Sequence, residues 1–180
     1  MPQDLSTAQP TCAAAKGISG VPLICTDFPS AQTLVDLKGM GWDFTYSCSG
    51  GVGWTVLNAA LQVSNYATFV GSCYFHTRPL TADEYQKYNS FTLSVVQTAD
   101  LNALKQYAWI YLGIDDYSRQ LSFTTGPNPR QRTMYEVAKT ALPNGGSSSY
   151  QPVFKFSSAV TAGMSNMGWQ IESIAVMGNP

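Results

Sequence analysis

Short segments that alternate between apolar and polar residues run through this chain, and they predict strands rather than helices. The clearest is the last segment, which alternates at a period of two and so divides between the two faces of a strand. One face takes Trp169, Ile171, Ser173 and Ala175, and the other takes Gln170, Glu172, Ile174 and Val176. We interpret it as the final strand of a β-sandwich and expect it to return beside the start of the domain.

Turn residues rich in glycine and proline, such as those at 126–129 and 143–147, separate the other alternating segments. The pattern predicts an all-β fold, a two-sheet antiparallel β-sandwich of jelly-roll type with one short helix at most. The predicted strands are Val21–Phe28, Asp43–Ser47, Trp54–Val63, Tyr66–His76, Ser90–Thr98, Tyr107–Ile114, Arg119–Thr125, Arg132–Ala141, Tyr150–Ser158 and Trp169–Val176.

Two local features refine this prediction. Ser64 and Asn65 separate the third and fourth strands, which favours a hairpin between them. The one predicted helix is Thr81–Tyr88, where Thr81 and Glu84 have the spacing of a capping box.

The chain length of 180 residues suits one domain with a substantial core. Residues 1–20, with two prolines, an alanine-rich patch and two glycines, are predicted to form an N-terminal arm or linker, and residues 21–180 a single sandwich domain. The beginning of the chain lacks the basic and apolar regions of a signal peptide. We therefore interpret Met1 either as an initiator added to a truncated mature domain or as the start of a phage-type protein.

Charged residues make up only 12% of the chain, about half the usual share, and small polar residues replace them. This composition is typical of secreted or cell-surface β-proteins. The net charge of −1, without a run of Lys or Arg, argues against a nucleic-acid partner. No stretch of 18 apolar residues occurs, so no membrane span is predicted.

The four cysteines fit two disulfides in an oxidising compartment. The preferred pairing joins Cys12 to Cys25 and Cys48 to Cys73, although the sequence allows three connectivities. A closed zinc site is not expected, since there is no C-x-x-C motif and His76 is the only histidine.

Four motifs, taken in their order along the chain, resemble the galactose-binding-like and MAM-like jelly rolls of secreted bacterial proteins. They are Asp27-Phe28, Gly53-Trp54-Thr55-Val56, Phe91-Thr92-Leu93-Ser94-Val95 and Trp169-Gln170-Ile171-Glu172-Ser173-Ile174. The final strand of those families often reads Trp-x-Ile-Asp-x-Ile-x-Val, and this chain has Glu172 where the aspartate would stand. The resemblance covers most of the chain. It implies a binding or adhesion module, often for carbohydrate and often with a structural calcium ion.

Aromatic side chains are the main candidates for sugar contacts, because sugars present apolar C–H faces to a ring. Tyr85 and Tyr88 flank a charged turn, and Tyr107, Trp109 and Tyr111 share one face of a predicted strand. That face serves either as a sugar platform or as part of the core. We favour the core for Trp109 and leave Tyr107 and Tyr111 open.

A polar turn supplies the other candidates. Asp115 and Asp116 offer carboxylates to sugar hydroxyls or to calcium, and Arg119 offers a bidentate donor. Two aspartates provide few of the six to eight oxygens that calcium takes, so a solvated turn is the competing interpretation. Arg130-Gln131-Arg132 is predicted to be another exposed polar loop, which can lie beside this turn at the same end of the sandwich.

Catalytic candidates are few. Glu136 and Glu172 lie on predicted strands and could in principle face one another in a glycosidase, which needs two carboxylates about 5–9.5 Å apart. Two solvated strand carboxylates are the favoured interpretation. His76 is the only base for a serine hydrolase, and the Gly-x-Ser-x-Gly motif is missing.

The sequence is compatible with three functions. The first is a non-catalytic extracellular module that binds carbohydrate or a cell-surface glycan and requires no cofactor other than a structural calcium. The second is a structural protein of a phage fibre, capsid or surface layer, for which homo-oligomers are expected. The third is a glycoside-cleaving enzyme on a concanavalin-like sandwich.

Overall fold

The computed structural model describes residues 11–44, 53–63, 71–97, 108–114, 116–121, 131–139, 153–160 and 170–180. These residues contain ten strands and two short helices. In chain order the elements are β1 Val21–Thr26, α1 Leu34–Gly39, β2 Trp54–Leu57, β3 Ala60–Val63, β4 Gly71–His76, α2 Ala82–Lys87, β5 Ser90–Gln97, β6 Ala108–Ile114, β7 Asp116–Leu121, β8 Gln131–Ala138, β9 Val153–Val160 and β10 Gln170–Asn179.

The strands form two antiparallel sheets, which confirms the all-β prediction. The larger sheet has the order β2-β3-β10-β5-β8, with β1 also paired to β10, and the smaller sheet has the order β4-β9-β6-β7. β5 pairs with β10 along one edge. On the other edge, β3 pairs with the beginning of β10 and β1 pairs with the rest. The last strand therefore lies beside the first, as expected from the sequence.

One hydrophobic core receives side chains from both sheets. Phe91, Leu93 and Ile174 enter it from the larger sheet, and Phe75 and Phe156 from the smaller one. The rings of Phe75 and Phe156 stack with their centroids 4.8 Å apart, and the edge of Trp54 meets Phe75 at 4.7 Å. Such aromatic pairs add about 0.5–1.5 kcal/mol each to the stabilisation from burial. Because Trp54 belongs to the larger sheet and Phe75 to the smaller one, their contact joins the two sheets.

The N-terminal residues 11–20 pack on the outer face of the larger sheet. Cys12, Ala14 and Ala15 are buried there against Ala175 and Met177 of β10. The predicted disulfide between Cys12 and Cys25 is present and ties this segment to β1. Cys73 is also disulfide-bonded, whereas its predicted partner Cys48 lies outside the described residues.

The predicted hairpin between the third and fourth strands is wrong. The segment Trp54–Val63 is itself a hairpin, β2 and β3, which turns at Asn58 and Ala59. Both turn residues have positive φ angles, 53° and 57°, as two-residue hairpin turns of type I′ require. Alanine is an unusual residue for that conformation, so the turn has little signature in the sequence. The next strand, β4, pairs with β9 in the smaller sheet instead.

The last strand departs from strict alternation at Glu172. The pairing with β5 shifts register between Ile171 and Ser173, which leaves Glu172 as the extra residue of a β-bulge. Ile171 and Ile174 consequently both lie in the core, although the period of two placed them on opposite faces. The strand also continues to Asn179, three residues beyond the predicted end.

The prediction of one short helix at most is wrong, because α1 precedes the predicted helix α2. Both helices begin with a capping box, Thr33 with Asp36 in α1 and Thr81 with Glu84 in α2. The box of α2 confirms the predicted start of that helix. Neither helix in the described part of the chain is long and apolar enough to cross a membrane.

Candidate functional site

The two tyrosines predicted near α2 attach that helix to the larger sheet. Tyr88 is only 4% exposed, and its ring covers Gly178 so closely that a Cβ there would come within 2.5 Å of the ring. Tyr85 is half-buried, stacks on Phe91 at 6.4 Å and lies beneath the ammonium of Lys139 at 5.0 Å. Because these contacts occupy the rings, we leave Tyr85 and Tyr88 out of the proposed site.

The other predicted residues belong to the hairpin of β6 and β7. The backbone of Tyr111 lies in β6 and that of Asp116 and Arg119 in β7, but their side chains are outside the described residues. Tyr107 and Asp115 are outside the described residues altogether. Tyr111 pairs with Gln120, whereas Arg119 pairs with Leu112. Tyr111 and Arg119 therefore belong to rows of opposite faces.

The backbone of Tyr111 pairs with a residue whose side chain lies on the outer face of the smaller sheet. Phe154 and Phe156 of β9 are buried in the core, and they pair with Leu112 and Ile110. The alternate position Lys155, which pairs with Tyr111, belongs to the opposite face. The same register pairs the backbone of Trp109 with Ser157, but the Trp109 side chain is outside the described residues, so its assignment to the core stays a prediction.

The pairing also brings three polar residues into one row on that outer face. Asp43 and His76 exchange two backbone hydrogen bonds of 3.1 and 2.8 Å, and His76 pairs in turn with Lys155. Directly opposed residues of antiparallel segments point to the same face, with Cβ atoms about 4.5–5.5 Å apart. The side chains of Asp43, His76 and Lys155 therefore leave the sheet at neighbouring positions.

An aromatic ring completes this arrangement. The Nζ atom of Lys155 lies 3.6 Å from the centroid of the Tyr74 ring, and that ring is nearly parallel to the His76 ring at a centroid distance of 6.4 Å. A cation held over a ring is stabilised by about 0.5–2 kcal/mol, depending on solvent access. We call the four residues Asp43, Tyr74, His76 and Lys155 the polar row.

The burial of the polar row indicates which of its members a ligand can reach. Lys155 is only 5% exposed, whereas Asp43, Tyr74 and His76 are of intermediate exposure. Lys155 is thus a fixed positive charge within the sheet surface. Asp43 offers acceptor oxygens, and Tyr74 offers a hydroxyl group and the part of its ring that Lys155 does not cover. The Nε2 atom of His76 is buried, so His76 contributes mainly to the shape of the surface.

Sequence reasoning missed the polar row as a unit. It placed His76 at a strand end and counted Asp43 only as the start of a strand. The available signal was the alternation of Cys73-Tyr74-Phe75-His76 and of Phe154-Lys155-Phe156, in which polar residues interrupt buried aromatics. The pairing of these segments depends on contacts between residues far apart in the chain.

Glu136 and Glu172 do not form a glycosidase pair. Glu136 pairs with Thr92, which pairs with Met177, and Glu172 lies five residues before Met177 on β10. At about 3.3 Å per residue this offset alone is roughly 16 Å, beyond the separation that either hydrolytic mechanism uses. Both glutamates also belong to the same sheet, so they do not face one another from two sheets.

Among the described side chains, no three His, Cys, Asp or Glu residues are close enough to hold a metal ion. The side chains of the calcium candidates Asp115 and Asp116 are outside that set, so calcium at their turn stays a prediction. Comparisons of the sequence with protein-family models and with curated proteins find no match.

Proposed function

We propose that this chain is a non-catalytic, extracellular carbohydrate-binding or adhesion module with a jelly-roll fold. The pairing order of eight strands supports the fold. The first strand pairs with the last (β1 with β10), the second with the seventh (β4 with β9), the third with the sixth (β5 with β8) and the fourth with the fifth (β6 with β7). Rolling up one long antiparallel ribbon produces this nested order, and jelly rolls are common among lectin domains. The β2–β3 hairpin is an addition between the first two strands.

The polar row is the observation that carries the binding proposal. A sugar needs acceptors and donors for its hydroxyl groups and a ring surface for its C–H groups. Asp43 and Tyr74 offer these groups on either side of His76, and Lys155 places its ammonium group over the Tyr74 ring. The backbone register also pairs Tyr111, a residue of the predicted platform, with Lys155.

Low charge and a disulfide support the extracellular assignment. Charged residues are 12% of the chain, and the Cys12–Cys25 bridge requires an oxidising compartment to persist. A neutral, hydroxyl-rich partner suits a surface of this kind better than a nucleic acid does.

A glycan array tests the proposal. The full chain is screened with calcium and again with EDTA, and Asp43→Asn is compared with Asp83→Asn, the same substitution at an exposed helix residue. We expect saturable binding that weakens at least tenfold in Asp43→Asn, since a hydrogen bond to a charged group contributes about 1.5–3 kcal/mol. Unchanged binding in Asp43→Asn would remove the polar row from the proposal. Loss of binding in EDTA would indicate that binding needs calcium, with Asp115 and Asp116 as its predicted ligands.

A second candidate, a structural protein that assembles, is favoured by exposed apolar residues at α1 and β2. Val35 is 76% exposed, Met40 50% and Leu57 53%. α1 contacts β2, which is the terminal strand of the larger sheet. Size-exclusion chromatography with light scattering tests this candidate: a stable trimer or larger assembly that Val35→Ser dissociates supports it, and a monomer over the micromolar range rejects it.

A further inference from the structure

A polar groove lies on the side of the molecule opposite to the polar row. It has a volume of about 510 Å³ and runs between the N-terminal segment and the outer face of the larger sheet. This volume falls within the range of about 300–1,000 Å³ that is usual for small-molecule sites. The lining residues that matter here are Ile18, Ser19, Thr92, Met134, Glu136 and Asn179.

The N-terminal wall of the groove is fixed in place by several bonds. The Cys12–Cys25 disulfide ties residues 11–20 to β1, and the backbone N–H of Ala13 donates to Asp27 at 2.7 Å. Arg132 of β8 donates from both terminal nitrogens, at 2.8 Å each, to the carbonyl oxygens of Lys16 and Ala13. A ligand would therefore meet a preformed groove and would not have to order the segment first.

The floor of the groove is similarly fixed. The amide group of Asn179 donates to the hydroxyls of Ser90 and Thr92, at 3.2 and 3.0 Å, which aims its carbonyl oxygen away from them. That oxygen faces Gly20, where a Cβ would come within 2.5 Å of it. Only glycine fits this position, because its φ angle of 108° also lies in a region that residues with a Cβ rarely adopt.

The lining defines the chemical class of the ligand. Glu136 and Arg132 are the only charged side chains of the lining, and both are exposed. Their opposite charges favour neither a strong anion nor a cation. Glu136, Thr92 and Asn179 offer hydrogen-bonding groups, while Met134, which is 42% exposed, and Ile18 offer apolar contact. A neutral ligand with hydroxyl groups around an apolar C–H frame matches this mixture.

We propose that the groove is a second carbohydrate site, so that a single chain bridges two glycans. The inference rests on the proposed function, because it assigns the same class of ligand to a second site. The outer faces of the two sheets point away from each other across a core about 10 Å thick, and one short saccharide does not reach both. A module with sites on opposite faces crosslinks glycan chains without forming a dimer.

The test counts sites on each chain. Isothermal titration uses the oligosaccharide that binds best on the array, with the chain at a concentration where light scattering shows a monomer. Ser19→Trp fills the groove with an indole ring, and Ser30→Trp places the same ring on an exposed turn as its control. Asp43→Asn removes the first site. Turbidity with a protein that carries several copies of the same sugar measures crosslinking, and circular dichroism checks that each variant is folded.

We expect two sites per chain, of which Ser19→Trp removes one and Asp43→Asn weakens the other at least tenfold. Each of these variants should lose at least tenfold in crosslinking while it still binds sugar, and Ser30→Trp should change neither property. If Ser19→Trp misfolds, Glu136→Ala with Asp83→Ala as its control provides the same comparison. One site per chain, with Ser19→Trp or Glu136→Ala neutral, overturns the second site but leaves the proposed function intact. The absence of binding to any glycan overturns both.

Discussion

Arg78 and Glu84 form a bidentate ion pair, with hydrogen bonds of 2.7 and 2.9 Å between the guanidinium and the carboxylate. Arg78 also donates at 2.7 Å to the carbonyl oxygen of Leu23 in β1. Glu84 in turn accepts from the backbone N–H of Thr81 at the start of α2. The pair thus links the capping box of α2 to the first strand of the larger sheet.

This pair should make the unfolding free energy depend on pH in the acidic range. Burial raises the pKa of Glu84, but the hydrogen bonds from Arg78 and Thr81 outweigh it and hold the pKa below the ordinary value of 4.5. Since the pKa is lowered in the folded state, the carboxylate contributes stability above about pH 4.5, and that contribution is lost as the pH falls through the lowered value. Urea titrations between pH 3 and 7 should show this loss, and Glu84→Gln should remove it.

The expected cost of Glu84→Gln at pH 7 is about 1–2 kcal/mol of unfolding free energy, less than for a fully buried pair because both side chains are partly exposed. Asp83→Asn, one residue away and exposed, should cost less than about 0.5 kcal/mol. Equal effects of the two substitutions would show that the ion pair does not stabilise the fold.

Gly178→Ala should destabilise the protein by about 1–3 kcal/mol, the usual cost of overpacking. A Cβ at this position would come within 2.5–2.7 Å of three ring atoms of Tyr88, so the ring would have to move off β10. Gly39→Ala is the control, since a Cβ at Gly39 would have no neighbouring atom within 4 Å among the described residues. Chemical denaturation of both variants measures the difference, and a neutral Gly178→Ala would show that the Tyr88 ring is not tightly held.

The strand positions could be predicted because one buried face imposes a period of two on each segment. The final segment shows this well, since its alternation identified a strand that does lie beside β1. The bulge at Glu172 was not predictable, because it arises from the pairing of β10 with β5. The turn at Asn58 and Ala59 was missed because alanine rarely adopts a positive φ.

The candidate site was less predictable than the fold, because a site on a sheet depends on register. Tyr111 was a candidate from its own strand, but its neighbour Lys155 is distant in sequence. The row of Asp43, His76 and Lys155 joins three segments in the same way. α1 escaped prediction because it has six residues and its capping box uses Asp36 in place of glutamate or glutamine.

Tyr135→Phe should leave the stability at pH 7 unchanged or raise it by up to about 1 kcal/mol. The hydroxyl of Tyr135 is buried and has no hydrogen-bond partner among the described residues, so its removal relieves a desolvation cost. Burial also raises the pKa of this phenol above the usual range. Because the folded state disfavours the phenolate, stability should fall as the pH rises above about 10.

Tyr135→Phe should reduce this alkaline loss, as measured by denaturation between pH 8 and 11. Tyr85→Phe is the control, because Tyr85 is half-buried and its hydroxyl donates to the carbonyl oxygen of Lys139. A loss of more than about 1 kcal/mol in Tyr135→Phe at pH 7 would mean that the hydroxyl group has a stabilising partner.

Replacing Cys12 and Cys25 together by serine should lower the unfolding free energy by about 2–3 kcal/mol, since the bridge closes a loop with a sequence separation of 13. The double variant is preferable to chemical reduction, because a reductant would also break the bridge of Cys73. Residues 11–20 would then be held mainly by Ala14 and Ala15 and by the hydrogen bonds of Arg132. We therefore expect faster proteolysis at Lys16, together with weaker binding at the groove and unchanged binding at the polar row. If the double serine variant kept both its protease resistance and its groove binding, the disulfide would not be what holds the N-terminal wall.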